Sequence, residues 1–280
     1  MLLSGLIGDP VAHSLSPVLH NAAFAHVGMD ARYELWPTPA TALAERVESL
    51  RAPDVLGANV TLPHKRAVLA LLDRVEPAVD VIGAANTIIR AENGMLVGDN
   101  TDMPAVLATL REDAGYEPEG QTAVILGASG AARAAAVALI HANIARVLVV
   151  NRTLERAEEL LADVLAAVDA DPLLFACTPD ALDQDVLHKA TLIVNATSLG
   201  WHGNETPLAA TLIPPDALVF DMVYRQTQLL RDAAARGART LGGLHMLVRQ
   251  AALAFERWTG KAVPLRVMYD AVEAHNRTQV

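Results

Sequence analysis

Short apolar runs alternate with helix-like segments along almost the whole chain: "LLSGLIG" then "SPVLHNAAFAHVG", "ARYELW" then "ATALAERVESLRA", "VLGANVTL" then "HKRAVLALLDRV". That rhythm leaves few folds open, because parallel strands must be joined by a crossover and a helix is the usual one. The expected class is α/β. Residues 83–101, "GAANTIIRAENGMLVGDNT", break the pattern: two strand-like runs flank Asn93-Gly94, which predicts a hairpin. The first sheet is therefore expected to be mostly parallel with an antiparallel addition.

The charged, Gly- and Pro-bearing stretch 111–121, "REDAGYEPEGQ", reads as a surface connection into a second unit. Four apolar strands separated by helices are expected there, in "TAVILGASGAARAAAVALIHA", "ARVLVVNRTLERAEELLADV", "ATLIVNATSLG" and "ALVFDMVY". From about Met246 the tail reads as an amphipathic helix pair with no strands of its own, so it should pack back on the first unit.

With 280 residues, 52% of them hydrophobic, there is ample material for packed cores. A formal net charge of -10 argues against nucleic acid or an anionic membrane as partner, so an anionic ligand must be captured locally. The apolar stretch "AAAVALIHANIARVLVV" is interrupted by His141, Asn143 and Arg146, short of the ~18 residues a membrane span needs. "MLLSGLIGDP" lacks the basic leader of a signal peptide, and Cys177 has no second cysteine to pair with. The expectation is a cytoplasmic protein without a structural disulfide or a metal site.

Three constellations carry chemistry. In "HSLSP", Ser16 followed by Pro17 suits a helix N-terminus, with the serine as cap. Ser14 is then a second hydroxyl at the positive end of the helix dipole, where a small carboxylate would sit well; on these residues capping and anion binding both stay open. "VILGASGAAR" is a strand, a turn at Gly127 and Gly130, and a helix whose first amides can bind a pyrophosphate. Ser129 stands where a middle glycine is more usual. Asn151, 24 residues after Gly127, occupies the place where an NAD enzyme commonly puts an acid on the ribose 2′-hydroxyl, and Arg152, Thr153 and Arg156 follow it. Guanidinium groups without an acid favour a 2′-phosphate, so the expected cofactor is NADP. Finally, "NVTLPHK", "GAANT" and "GDNTD" each put Asn, Thr and a charged residue at a strand end. Lys65 and Asp102 near a nicotinamide would serve proton transfer to a carbonyl or from an alcohol.

Taken together and in order, "HSLSPVLHN", "NVTLPHK", "GAANT", "GDNTD", "GASGAARA", "NRTLERAEEL", "NATSLG", "DMVY" and "GLHMLVRQA" resemble the shikimate dehydrogenase family over nearly the whole chain. The resemblance implies NADP-dependent reduction of 3-dehydroshikimate to shikimate by two α/β domains with a cleft between them. An N-terminal substrate domain, 1–102 completed by helices at 243–280, would stand beside a Rossmann-like NADP-binding domain, 103–242. It further implies that Ser14 and Ser16 hold the substrate carboxylate, that Thr61, Asn86 and Gln250 contact ring hydroxyls, and that Tyr224 adds to the substrate site. Lys65 and Asp102 become the catalytic pair, while Gly127, Ala128, Ser129, Gly130, Ala131, Asn151, Arg152, Thr153, Arg156, Thr197, Met222 and Gly243 become the cofactor set. A small hydroxy acid is the expected partner, for a monomer or homodimer. Members of the family usually carry glycine after the aspartate, whereas Met103-Pro104 follow here, and "DMVYRQTQLL" is short after Tyr224. A paralogue using quinate or aminoshikimate, or an idle NADP-binding sensor, are the alternatives.

Overall fold

The structure, a computed structural model, describes residues 1–168 and 172–278; the expected domain spans also include 169–171 and 279–280, which lie outside the described residues. The chain divides into two compact units, Met1–Thr101 with Val248–Val280, and Asp102–Leu247.

In the first unit the chain runs β1 (Leu2–Gly8), α1 (Ser16–His26), β2 (Ala31–Pro37), α2 (Leu43–Ser49), β3 (Val55–Val60), β4 (Arg74–Val75), α3 (Pro77–Ile82), β5 (Thr87–Arg90) and β6 (Leu96–Asp99). The sheet order is β2-β1-β3-β5-β6-β4. β1 is parallel to β2 and β3, whereas β5 is antiparallel to β3 and β6, with Ile88 opposite Gly98. The hairpin turn forms where Asn93-Gly94 predicts it: Gly94 takes φ +82°, and Asn93 Oδ1 accepts from the Met95 amide at 3.1 Å. Ile7, Leu50, Val60, Ile88 and Leu96 fill the core on one face.

The segment "HKRAVLALLDRV" is not the α-helix its composition suggests. A 3₁₀ turn at Ala67–Leu71 buries Val68 and gives way to β4, because the amides of Asp73 and Glu76 are drawn into bonds with Leu96 and Gly98 carbonyls. Tertiary pairing overrides the apolar helical period here.

The second unit continues with α4 (Asp102–Ala108), a π-helical turn at Thr109–Asp113, β7 (Thr122–Leu126), α5 (Gly130–His141), β8 (Arg146–Val150), α6 (Leu154–Ala167), β9 (Leu173–Cys177), α7 (Gln184–Leu187), β10 (Leu192–Asn195), β11 (Leu218–Asp221), α8 (Gln228–Ala235) and β12 (Arg239–Gly242). All its strands are parallel, in the order β12-β11-β10-β7-β8-β9. This is the doubly wound arrangement, with the order reversing between β7 and β10. Six strands rather than four make the sheet among the described residues. The two unforeseen ones are the edges: β12 is four residues long and begins with the polar Arg239-Thr240, whereas β9 is apolar throughout as "LLFAC" but leaves Leu173 and Phe175 about half exposed. Within the connection at 111–121, Tyr116 is buried and its hydroxyl meets Thr191 Oγ1 at 2.9 Å, so that loop is anchored rather than wholly superficial.

The tail forms α9 (Leu244–Thr259) and α10 (Leu265–Thr278). α10 packs along α1, Phe255 meets Phe24 at 5.2 Å between ring centroids, and Trp258 Nε1 donates to the Ile88 carbonyl at 2.9 Å. Gly57 makes room for that indole, since a Cβ there would lie 2.6 Å from Trp258 Nε1. Each buried phenylalanine contributes about 1.5–3 kcal/mol, so the tail is an integral part of the first unit's core.

Candidate active site

Main-chain bonds gather the substrate-side residues at one end of β1, β3 and β5. Thr61 N donates to Ile7 O at 2.8 Å, Val60 N to Asn86 O at 2.8 Å, and Ala85 N to Lys65 O at 2.9 Å. Lys65 therefore follows the bend after β3 and precedes a 3₁₀ turn rather than an α-helix. Asn86 is 2% exposed; its Nδ2 donates to Thr101 Oγ1 at 2.9 Å, and its Oδ1 accepts from Thr101 N at 2.8 Å and Thr87 Oγ1 at 3.0 Å. Asp102, the next residue in the chain, is buried as the first residue of α4. Gln250 is nearly buried on α9.

Ser14 and Ser16 do come together, but not as a capped helix. Leu15 occupies the cap position without a side-chain bond, Ser16 is the first helical residue, and Ser14 Oγ accepts from Ser16 N at 3.2 Å while donating to Ser16 Oγ at 3.0 Å. The residue two positions earlier is thus the one that satisfies a helix-start amide, because Ser16 already has helical backbone angles. Two adjacent hydroxyls at a helix N-terminus suit a carboxylate.

Sequence reasoning did not single out the support behind this edge. Tyr33 Oη donates to Asn59 Oδ1 at 2.9 Å, and Asn59 Nδ2 donates to Asn86 O and Thr87 Oγ1 at 3.3 and 3.2 Å. His20 stacks on Tyr33 at 4.3 Å, and neither of its ring nitrogens has a hydrogen-bond partner. Complete burial holds its pKa down at about 3, so the imidazole is a neutral packing ring. Asn59 and Thr101 lie inside "NVTLPHK" and "GDNTD", but β3 is buried on both faces from Gly57 to Val60, so alternation with Ala58 and Val60 gave no signal that Asn59 is buried too.

On the second unit, the carboxyl end of the sheet gathers most of the expected cofactor set. Gly127 takes φ +107°, and a Cβ there would lie 2.9 Å from Thr197 Cγ2, so only glycine fits the turn. Ser129 caps α5 by accepting from Ala132 N at 3.3 Å and donates to Ala196 O at 3.0 Å; its φ of −84° needs no glycine, which explains the departure from three glycines. The first amides of α5, at Gly130 and Ala131, have no intrahelical carbonyl to bind. Gly127 N donates to Val150 O at 2.7 Å, joining this turn to the end of β8, where Asn151 Nδ2 donates to Thr153 O at 2.8 Å. Thr153 sits at the cap position of α6 without capping it through its side chain. Arg152 and Arg156 are exposed and pair with no carboxylate among the described residues.

Thr197 Oγ1 donates to Asn195 Oδ1 at 2.7 Å, Met222 N to Asn195 O at 3.0 Å, and a Cβ on Gly243 would lie 2.3 Å from Met222 O. Tyr224 belongs to this unit, edge-on to Trp201 at 4.7 Å. A glycine cradle, unpaired helix-start amides and two guanidinium groups fit a phosphorylated dinucleotide. Among the described residues, no group of His, Cys, Asp and Glu could hold a metal, and no helix is long and apolar enough to cross a membrane.

Family models match in three places: the shikimate dehydrogenase substrate binding domain at residues 6–88, shikimate / quinate 5-dehydrogenase at 110–198, and the shikimate 5'-dehydrogenase C-terminal domain at 243–273. The shikimate dehydrogenase (NADP(+)) of Symbiobacterium thermophilum is 44% identical over 275 residues, 96% of this chain and 93% of that one. The chain belongs to the shikimate dehydrogenase family. Shikimate 5-dehydrogenase of Thermus thermophilus, solved in complex with NADP(H) and shikimate, is 40% identical with a TM-score of 0.86, covering 98% of this chain and 99% of that chain. The family fold also reaches the 5-ketofructose reductase of a Gluconobacter species, 35% identical with a TM-score of 0.83 over 98% of both chains.

Proposed function

We propose that this protein catalyses the reversible NADP-dependent reduction of 3-dehydroshikimate to shikimate in the cytoplasm, as a monomer or homodimer. The observation that carries the reading lies in the second unit, where the glycine turn at Gly127 is followed by exposed Arg152 and Arg156 that pair with no carboxylate among the described residues. Bound NADPH supplies the hydride that the substrate's carbonyl carbon takes up.

Ser14 and Ser16 bind the substrate carboxylate as hydroxyl donors at the start of α1. Thr61, Asn86 and Gln250 fix the ring hydroxyls, and Tyr224 completes the substrate set. Lys65 delivers a proton to the carbonyl oxygen during reduction and takes it back during oxidation, with Asp102 as the second member of the catalytic pair. Gly127, Ala128, Ser129, Gly130 and Ala131 receive the pyrophosphate on backbone amides. Asn151, Arg152, Thr153 and Arg156 hold the 2′-phosphate, and Thr197, Met222 and Gly243 line the nicotinamide side.

Turnover with shikimate and NADP, followed at 340 nm beside quinate, aminoshikimate and NAD, tests the reading. Shikimate with NADP is expected to give the highest kcat/KM, and Lys65→Ala is expected to lower kcat about a thousandfold. A better rate with quinate or aminoshikimate would move the substrate, equal use of NAD would remove the role of the arginines, and an active Lys65→Ala would sink the catalytic pair.

A further inference from the structure

Asp221 ends β11 with a side chain 0% exposed, yet no residue given a role so far uses it. Its Oδ1 accepts from Asn195 Nδ2 at 2.9 Å and Val223 N at 3.0 Å, and its Oδ2 accepts from Thr227 Oγ1 at 2.6 Å. No cation is bonded to it among the described residues. The Asn195 amide can only donate here, since its own Oδ1 receives Thr197 N and Thr197 Oγ1. These bonds tie together the loops after β10 and β11.

Its place on the sheet gives the carboxylate a second meaning. In a doubly wound sheet a dinucleotide lies across the carboxyl ends of the strands, astride the reversal of strand order. Here that point is between β7 and β10, and the two arginines put the adenosine half on the β8 side. The nicotinamide half then falls on the side of β10 and β11, where Asp221 precedes Met222 and where Gly243 is kept bare against Met222 O. An oxidised nicotinamide ring carries a positive charge and a reduced one does not.

We propose that Asp221 is a positioning residue whose uncompensated buried charge biases the cofactor site toward the oxidised form, beyond its role in holding the two loops. Burial pushes its carboxyl above the usual carboxylate range, opposed by the three donors. A charge held by directed donors in a water-poor setting acts further than one in solvent. The inference rests on the cofactor reading above.

The test measures dissociation constants for NADP+, NADPH and the nicotinamide-free fragment 2′-phospho-ADP-ribose, on wild type, Asp221→Asn and Thr227→Val. Asp221→Asn is expected to weaken NADP+ by about tenfold and to change NADPH and the fragment by less than about twofold. Thr227→Val removes a donor but keeps the carboxylate, so the ratio of the NADP+ and NADPH constants should stay within about twofold of wild type. Equal weakening of both redox forms in Asp221→Asn would mean loop support alone. A tenfold loss of oxidised-form preference in Thr227→Val overturns the proposal even if Asp221→Asn does not fold. Failure of wild type to bind the fragment would remove the cofactor reading and the proposal together, whereas fragment binding with an unmoved ratio removes the proposal only.

Discussion

The substrate-side cluster and the cofactor-side arginines are built on opposite plans. Around Asn86 the polar groups are buried and satisfied by one another, through Thr87, Thr101, Asn59 and Tyr33. Around Arg152 and Arg156 they are exposed and, among the described residues, joined to no carboxylate. A neutral hydroxyl binds weakly, so its partners must be fixed beforehand to discriminate one ring from another. A phosphate binds strongly to any well-placed guanidinium, so under the proposed cofactor reading the exposed Arg152 and Arg156 need no prior fixing by neighbours.

Replacing both Arg152 and Arg156 with alanine gives the largest expected effect that separates these plans. KM for NADPH should rise about a hundredfold, since each charge-assisted bond is worth about 1.5–3 kcal/mol, with thermal stability unchanged. The wild-type KM for NADPH should also rise with added salt while the KM for shikimate responds less; a stability loss in the double variant would break the contrast.

Asn86→Ala should do the reverse, costing about 1–3 kcal/mol of unfolding free energy because the buried Thr101 amide loses its acceptor. Urea unfolding measures it, and a change confined to the KM for shikimate would mean that the cluster is not a structural unit.

His20 sharpens the comparison by pH. The folded state holds it neutral, with a pKa of about 3 against 6.5 when unfolded, so the unfolded chain takes up the proton first. Its contribution is whole above pH 6.5 and is lost progressively as the pH falls toward 3. His20→Phe should flatten the stability profile across that window by about 1.4 kcal/mol per pH unit, and a profile parallel to wild type would show that another group sets acid sensitivity.

The smallest effect belongs to Trp258→Phe, which leaves the Ile88 carbonyl without its indole donor and should cost about 1 kcal/mol. Cofactor binding by the second unit should be untouched, as titration with NADPH would show.

The contrast also explains what could be read from the chain. The cofactor side is local: a strand, Gly127, a helix start and two arginines after the next strand, all within one segment. The β5–β6 hairpin was legible for the same reason, its turn being carried by Asn93-Gly94. The buried cluster was not, because Tyr33 and Asn59 are 26 positions apart and Asn86 and Thr101 are 15 apart. Only the sheet order brings them together. Edge strands β4 and β12 escaped because strands so short carry little apolar pattern, β9 escaped although "LLFAC" is an unbroken apolar run, and the part of Ser14 in the helix start escaped because backbone angles, not residue type, decide which serine receives the amide.

The connectivity bears on how the protein is made. The first unit is interrupted in sequence by the second, and its last stretch, Val248–Val280, includes the Phe255 and Trp258 that fill the core beside α1 and β5. During synthesis the parallel cofactor sheet therefore has all its strands before the substrate sheet has its covering helices. At about 5–20 residues per second the nascent substrate sheet waits some seconds with Gly57 and Ile88 uncovered. That interval is a window for a chaperone, and loss of the final helices in a nascent chain would spare the nucleotide fold while leaving the substrate fold unfinished.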